Sequence, residues 1–419
     1  MATKTMLTPT QILQIVSFLD MLGVGLIVPQ LQNQARLLGC SHLLIGTLGA
    51  VYSGTQLVSG PVIGNLSDLK GRKPTLLLTL AVCGLGYLIL GITSSIAIFF
   101  TTRACLGFFK QTQLLTKSIA PDYEPDPAKQ AVAFGRLSTL SGLGMSIGPM
   151  ISGHLAEAYP EYGFMIIACL VGVTFAINAG LINLLPDRTK EKQNSSKKNG
   201  VAVAPKLIDS VRTSIKESID EFKKVDWAIY WDVFLFKLII TLCIGMYFTN
   251  YAIFLKTKHD MSPKSLGYII AFQGGIGSLC SFFIGYINQF YKDDKDASVR
   301  SYHIFIAVTV SLLGMGLSPN IYWYLLFVVP LAISGAVGRV SGLEMIMNKG
   351  KTEHRGSVIG ATGSMRSLSG VVTPLVAGVI SEYIGVNYVI FVAALFGATG
   401  IVVSYKIKSR SLEAKSKSD

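Results

Sequence analysis

The sequence predicts an all-α membrane protein, with twelve transmembrane helices arranged as two pseudo-symmetric six-helix bundles. Three observations carry that expectation. Half of the 419 residues are hydrophobic, only 15% are charged, and mean hydropathy is +0.50, whereas ordinary globular domains carry about 25% charged residues. Apolar stretches of about the 20 residues that a bilayer requires recur along the chain. The second set of spans also repeats landmarks of the first at a fixed offset. The expected spans are 11–35, 43–66, 74–93, 96–116, 131–156, 162–186, 230–255, 265–290, 301–318, 321–347, 356–382 and 387–405.

The first span places Asp20 within Phe18-Leu-Asp-Met-Leu-Gly-Val-Gly-Leu-Ile-Val-Pro29. A carboxylate that deep in a spanning helix costs about 2.5–3.5 kcal/mol on insertion scales, so it faces a cavity and pairs or titrates. The loop after span two reads Gly64-Asn-Leu-Ser-Asp68-Leu-Lys-Gly71-Arg72-Lys73-Pro74. Gly71 permits a tight turn and Pro74 suits a helix start. Asp68 can accept from an arginine and from a facing helix N-terminus, a latch that must break when the protein opens inward. Span four carries Arg103 and Lys110. Span five carries Gly135, Gly144, Gly148, Pro149 and Gly153, a face nearly bare of side chains where a neighbouring helix can approach backbone to backbone. Pro149 removes a backbone donor and bends that span.

A polar break from Asp187 to Asp226 divides six spans from six. The expected domains are 1–186, a linker over 187–229, 230–407 and a tail over 408–419. Within the linker, Leu207, Val211, Ile215, Ile219 and Phe222 recur at helical spacing, which predicts an amphipathic helix on the membrane surface. Gly135, Pro149, Gly153 and Glu157 match Gly360, Pro374, Gly378 and Glu382, each at an offset of 225. Span ten carries Arg339 in the helix that corresponds to span four. Two buried cations, Lys110 and Arg339, without acids at good helical spacing favour anionic or zwitterionic substrates; pairing of these cations with Asp20, Asp232 or Glu344 is the alternative. His154, Glu157, Glu382 and Lys237 sit nearer span ends, where snorkelling accounts for them.

Lysine and arginine set orientation. Outside the spans, only Arg36, Lys256, Lys258 and Lys264 fall opposite the side that holds the termini. The positive-inside rule therefore puts both termini in the cytoplasm. The net charge of +13 is topology charge facing anionic lipid and requires no nucleic acid. Met1 to Gln11 lacks the pattern of a cleavable leader, so insertion as a signal anchor is expected. The six cysteines show no metal or disulfide spacing. The sequons at Asn65 and Asn194 fall on the expected cytoplasmic side and should be unmodified. No Gly-x4-Gly-Lys-Ser/Thr occurs, and no nucleophile–base or metal-ligand set argues for an enzyme or a cofactor.

The loop from Gly64 to Pro74 resembles the signature loop of the major facilitator superfamily, whose parallel six-span repeats match the internal duplication. The first span closely resembles that of its drug–proton antiporters of the tetracycline-resistance type. Arg103 with Gly107 resembles the Arg-x3-Gly motif of the same group, and the glycine–proline face of span five completes the set, with Ser152 in place of a usual glycine. The segments Gly107-Phe-Phe-Lys110-Gln-Thr, Trp231-Asp-Val-Phe-Leu and Ala336-Val-Gly-Arg339 are similar to an animal orphan group of that superfamily without a settled substrate. The resemblance implies a monomeric secondary transporter working by alternating access, with Asp20 as the proton-coupling or substrate-binding carboxylate. Arg103, which does not itself titrate, would tune a neighbouring acid. It also implies a small-molecule substrate, protons as the coupling ion, and a plasma or organelle membrane. An uncoupled uniporter and a transporter-shaped receptor or scaffold are the other expectations.

Overall fold

The computed structural model describes residues 7–124, 126–186, 227–292, 294, 296–349 and 355–416. The amphipathic helix expected over 207–222 lies outside the described residues. Among these residues the secondary structure is helical, and the elements are α1 Pro9–Leu37, α2 His42–Lys70, α3 Arg72–Ile92, α4 Ile96–Phe109, α5 Thr112–Tyr123, α6 Pro127–Ala158 and α7 Gly163–Asn183. They continue as α8 Trp227–His259, α9 Pro263–Phe282, α10 Ile284–Gln289, α11 Ser298–Gly316, α12 Ile321–Lys349, α13 Arg355–Tyr383 and α14 Tyr388–Ser416. Span four is split into α4 and α5, and span eight into α9 and α10, so the described helices account for twelve spans. Eight helices are long and apolar enough to cross a membrane unaided. The others are broken, or diluted by glycine, serine and charge.

Local chemistry explains the ends. α1 starts at a capping box in which the Thr8 hydroxyl accepts from the Gln11 amide and the Gln11 side chain accepts from the Thr8 amide. α3 begins after Gly71, whose φ of 100° is a conformation that a side chain resists.

Contacts group the chain into two compact units. Unit 1 comprises Met1–Leu38, Gly54–Glu217 and Pro263–Ala271; unit 2 comprises Gly39–Ser53, Ser218–Ser262 and Phe272–Asp419. In unit 1, α1 packs on α6 and α7, and α3 packs on α4 and α7. In unit 2, α8 packs on α13 and α14, and α11 packs on α12 and α14. Spans 1·5, 1·6, 3·6 and 3·4 thus pair as spans 7·11, 7·12, 9·12 and 9·10 do, so the duplication legible in four residues extends to the helix pairings.

The glycine face works as its spacing implies. A Cβ on Gly148 would sit 2.7 Å from the Gly25 Cα, and one on Gly25 would sit 3.0 Å from the Pro149 Cδ. A Cβ on Gly144 would run into the Phe18 carbonyl. α1 and α6 therefore touch backbone to backbone, the close packing that substitutes for hydrophobic drive between helices in lipid. Gly135 has nothing within 4 Å of its missing Cβ and takes no part.

Candidate functional site

The site in unit 1 starts from the break in span four. Lys110 (ψ 63°) and Gln111 (ψ 19°) leave helical geometry, and the Gln111 amide donates to the Phe109 carbonyl at 2.7 Å in a tight turn. Freed backbone groups are costly at membrane depth unless protein re-satisfies them. Gln56 Nε2 donates to the Lys110 carbonyl at 3.0 Å, and Gln111 Nε2 donates to the Gln56 carbonyl and to Ser59 Oγ. Two glutamines thus clasp the break from both sides.

That break aims Lys110 at Asp20. Lys110 Nζ lies 2.5 Å from Asp20 Oδ1, and both side chains are sealed from solvent. Gln113 Nε2 donates to Asp20 Oδ2 at 3.0 Å, and the Gln113 carbonyl oxygen accepts from Ser17 and Ser141, both at 3.2 Å. The Lys110 ammonium also lies 5.3 Å from the centre of the Phe175 ring. The α4–α5 break and α5 therefore hold the α1 carboxylate in charge-assisted bonds, while Ser17 of α1 and Ser141 of α6 brace the Gln113 that makes one of them. The finding corrects the expectation that Lys110 stands as an unmatched cation. Its acid is 90 positions away in sequence, on another helix, where no spacing rule along one helix reaches it. Arg103 is buried on α4, two turns before Lys110.

In unit 2 the alternative partner of Arg339 is already taken. Glu344 accepts from Arg300 of α11 and, at 2.8 Å, from Asn288 of α10, which also accepts from Arg300. Arg339 itself is accessible to solvent, and among the described residues no carboxylate stands within ion-pair reach of it.

The loop after α2 holds a different clasp from the one its sequence suggests. Arg72 donates to both Asp122 oxygens at 3.1 and 3.2 Å and to the Ser118 carbonyl, whereas Asp68 lies 4.0 Å away and is largely exposed. Gly64 has open space around it. The Arg300–Glu344 pair occupies the corresponding place in the second half, where the sequence, with Gln289 in the acid position, suggests only a weak latch. The repeated acids gain a role as well. In unit 2, Glu382 Oε2 accepts from the His42 and Leu43 amides at 2.8 and 3.3 Å; in unit 1, Glu157 Oε2 accepts from the Lys264 amide at 3.3 Å. Each acid caps a helix N-terminus instead of merely snorkelling. Beside them Gly153 meets the Pro263 carbonyl and Gly46 meets that of Pro374, approaches that only glycine permits. Among the described residues no group of three or more potential metal ligands occurs.

Sequence reasoning missed Gln113, Ser17, Ser141, Gln56 and Gln111. They are uncharged polar residues in a span or at its edge, and the signal available was, for Gln111 and Gln113 alone, the polar stretch Lys110-Gln-Thr-Gln113.

Broken and glycine-faced helices around a buried carboxylate–ammonium pair are features that membrane transporters use. The model of the Major Facilitator Superfamily matches residues 13–372, and the chain belongs to that superfamily. It is 26% identical over 379 residues to the class B tetracycline resistance protein of Escherichia coli, covering 89% of this chain and 88% of that one. It is 22% identical over 388 residues to the quinolone resistance protein NorA of Staphylococcus aureus, covering 92% and 93%. Among solved structures, the human organic anion transporter MFSD10 superposes with a TM-score of 0.64 at 17% identity over 94% of this chain and 98% of that one. The peptide transporter POT, in complex with sulfate, does so with a TM-score of 0.74 at 13% identity over 96% and 94%. These likenesses fix the fold: this is an integral, multi-pass membrane protein of a superfamily of secondary transporters.

Proposed function

We propose that the protein is a monomeric, proton-coupled antiporter of a small organic solute, working by alternating access of six-helix bundles over 1–186 and 230–407. The observation that carries the coupling is the sealed Asp20–Lys110 pair at the break of span four. Asp20 can hold a proton or an ammonium, not both. A zwitterionic solute would place its cationic group on Asp20 and its anionic group on Lys110, and a proton on Asp20 removes the first of these sites. Proton and solute then exclude each other, which is the condition for antiport. Likeness to tetracycline and quinolone resistance proteins supports export of organic solutes. Likeness to an organic anion transporter and the accessible Arg339 support an anionic or zwitterionic class. The segments 107–112, 231–235 and 336–339 support kinship with the animal orphan group called major facilitator superfamily domain-containing protein nine.

In this reading Asp68, Gly71 and Arg72, with the Arg72–Asp122 and Arg300–Glu344 clasps, form latches that must break as the protein opens. Gly144, Gly148 and Pro149 keep α6 packed on α1 and Gly153 on α9 as the protein moves, and Arg103 tunes the field at Asp20. Both termini are cytoplasmic on the distribution of lysine and arginine. A second reading draws on the same pair: a uniporter in which Asp20 only neutralises Lys110. A receptor or scaffold without transport is the third. A pH jump on proteoliposomes containing the full chain separates them. Antiport predicts solute-dependent proton movement that Asp20→Asn abolishes. Solute flux without proton movement selects the uniporter, and no flux of either kind selects the scaffold.

A further inference from the structure

Unit 2 gathers three cations with no acid among them. Lys237 of α8 lies along Gly342 of α12, where a Cβ would run into the Lys237 Cε. One and two turns along, a Cβ on Gly338 would lie 3.8 Å from Ile240 and one on Gly335 would lie 3.6 Å from Ile244, so α8 and α12 run antiparallel. Arg339 stands one turn from Gly342 on that same helix. Gly245 of α8 meets Thr373 of α13 at 3.0 Å, and two turns before each of these stand Lys237 and Arg366. Arg366 acts electrostatically on both Lys237 and Arg339, so the three charges are neighbours.

Depth agrees. Each of the three lies ten or eleven residues from the helix end on one side, at Trp227, Lys349 and Arg355. That is roughly 15–17 Å at helical rise, well inside each helix rather than at its end. Lys237, which hydropathy puts near a span end, lies beside Gly342 of α12, two residues from Glu344 of the Arg300–Glu344 clasp. Arg339 and Arg366 are exposed, and Lys237 is half-buried. Among the described residues none has a carboxylate partner, and Glu344, the nearest in sequence to Arg339, is held by Arg300 and Asn288. Charged side chains at this depth face water or a ligand, not lipid. Three neighbouring positive charges repel one another until an anion arrives, and two guanidinium forks match carboxylates.

We infer that Lys237, Arg339 and Arg366 form a binding site for an organic solute carrying two carboxylates. The inference rests on the transporter reading for its purpose, but not for its measurement. Purified full-length protein is titrated with unbranched α,ω-dicarboxylates of two to eight carbons, their monoamides and their diamides, with binding read as thermal stabilisation. Expected is at least one diacid that binds tenfold or more tighter than its diamide, with the monoamide between. Arg339→Gln and Arg366→Gln should each weaken that diacid tenfold or more, while Arg339→Lys keeps part of the affinity; ligand-free unfolding temperatures report whether each variant folds. The inference is overturned if no diacid outperforms its diamide, if sodium sulfate of equal ionic strength stabilises as well, or if both glutamine variants bind unchanged. Should folding fail in one variant, the charge series on wild type and on Lys237→Met decides. Diacid binding without solute-linked flux would sink the transporter reading and keep this site; flux of uncharged solutes without diacid binding would do the reverse.

Discussion

At the scale of single residues the account turns on one carboxylate and one ammonium. Burying either alone is expensive, and their bond with Gln113 offsets that cost. Removing one partner of such a pair costs about 3–5 kcal/mol, whereas replacing both with uncharged groups is often near neutral. Lys110→Met should therefore lower the unfolding temperature of the purified protein sharply, and Asp20→Asn combined with Lys110→Met should restore most of the loss. A double variant as unstable as the summed single effects would remove the pair from the account. Asp20 is legible in sequence because a carboxylate inside an apolar helix has few explanations. Its partner is not, because contact between residues 90 positions apart depends on how α1 meets a broken span four. Arg339 shows the same limit from the other side: Glu344, five residues on, is the only acid its helix suggests, and Arg300 from α11 claims it.

At the scale of elements, small residues decide which helices touch. Gly148 sits on the Gly25 backbone, while Gly135 on the same helix faces open space. Gly148→Val should push α6 off α1 and abolish recovery of folded protein, whereas Gly135→Ala should be recovered at wild-type yield; size-exclusion profiles after detergent extraction read both. Equal yields would contradict the close-packed face. Long apolar stretches made the spans countable, and the 225-residue offset of Pro149 and Pro374 made the duplication visible. The breaks at Lys110–Gln111 and at Phe283 were not visible, because hydropathy averages over polar residues that only the partner helix reveals as caps. Gln56 and Gln111 read as ordinary polar residues until the backbone they satisfy is seen.

At the scale of the whole molecule, the same helix pairings recur in both units, and each half carries one arginine–carboxylate clasp and one acid that caps a helix start. Such doubling suits the alternating access proposed above, since these contacts of one unit recur in the other. The central claim is that the Asp20–Lys110 pair opens to water from one face of the membrane and then from the other. Ser141, bonded to Ser17 and Gln113 around that carboxylate, is the place to ask. Ser141→Cys, in a chain whose six native cysteines are replaced, is exposed to a membrane-impermeant maleimide added to either side of sealed vesicles. The account predicts labelling from both sides; labelling from neither, or from one side alone under every solute and pH condition, would contradict it.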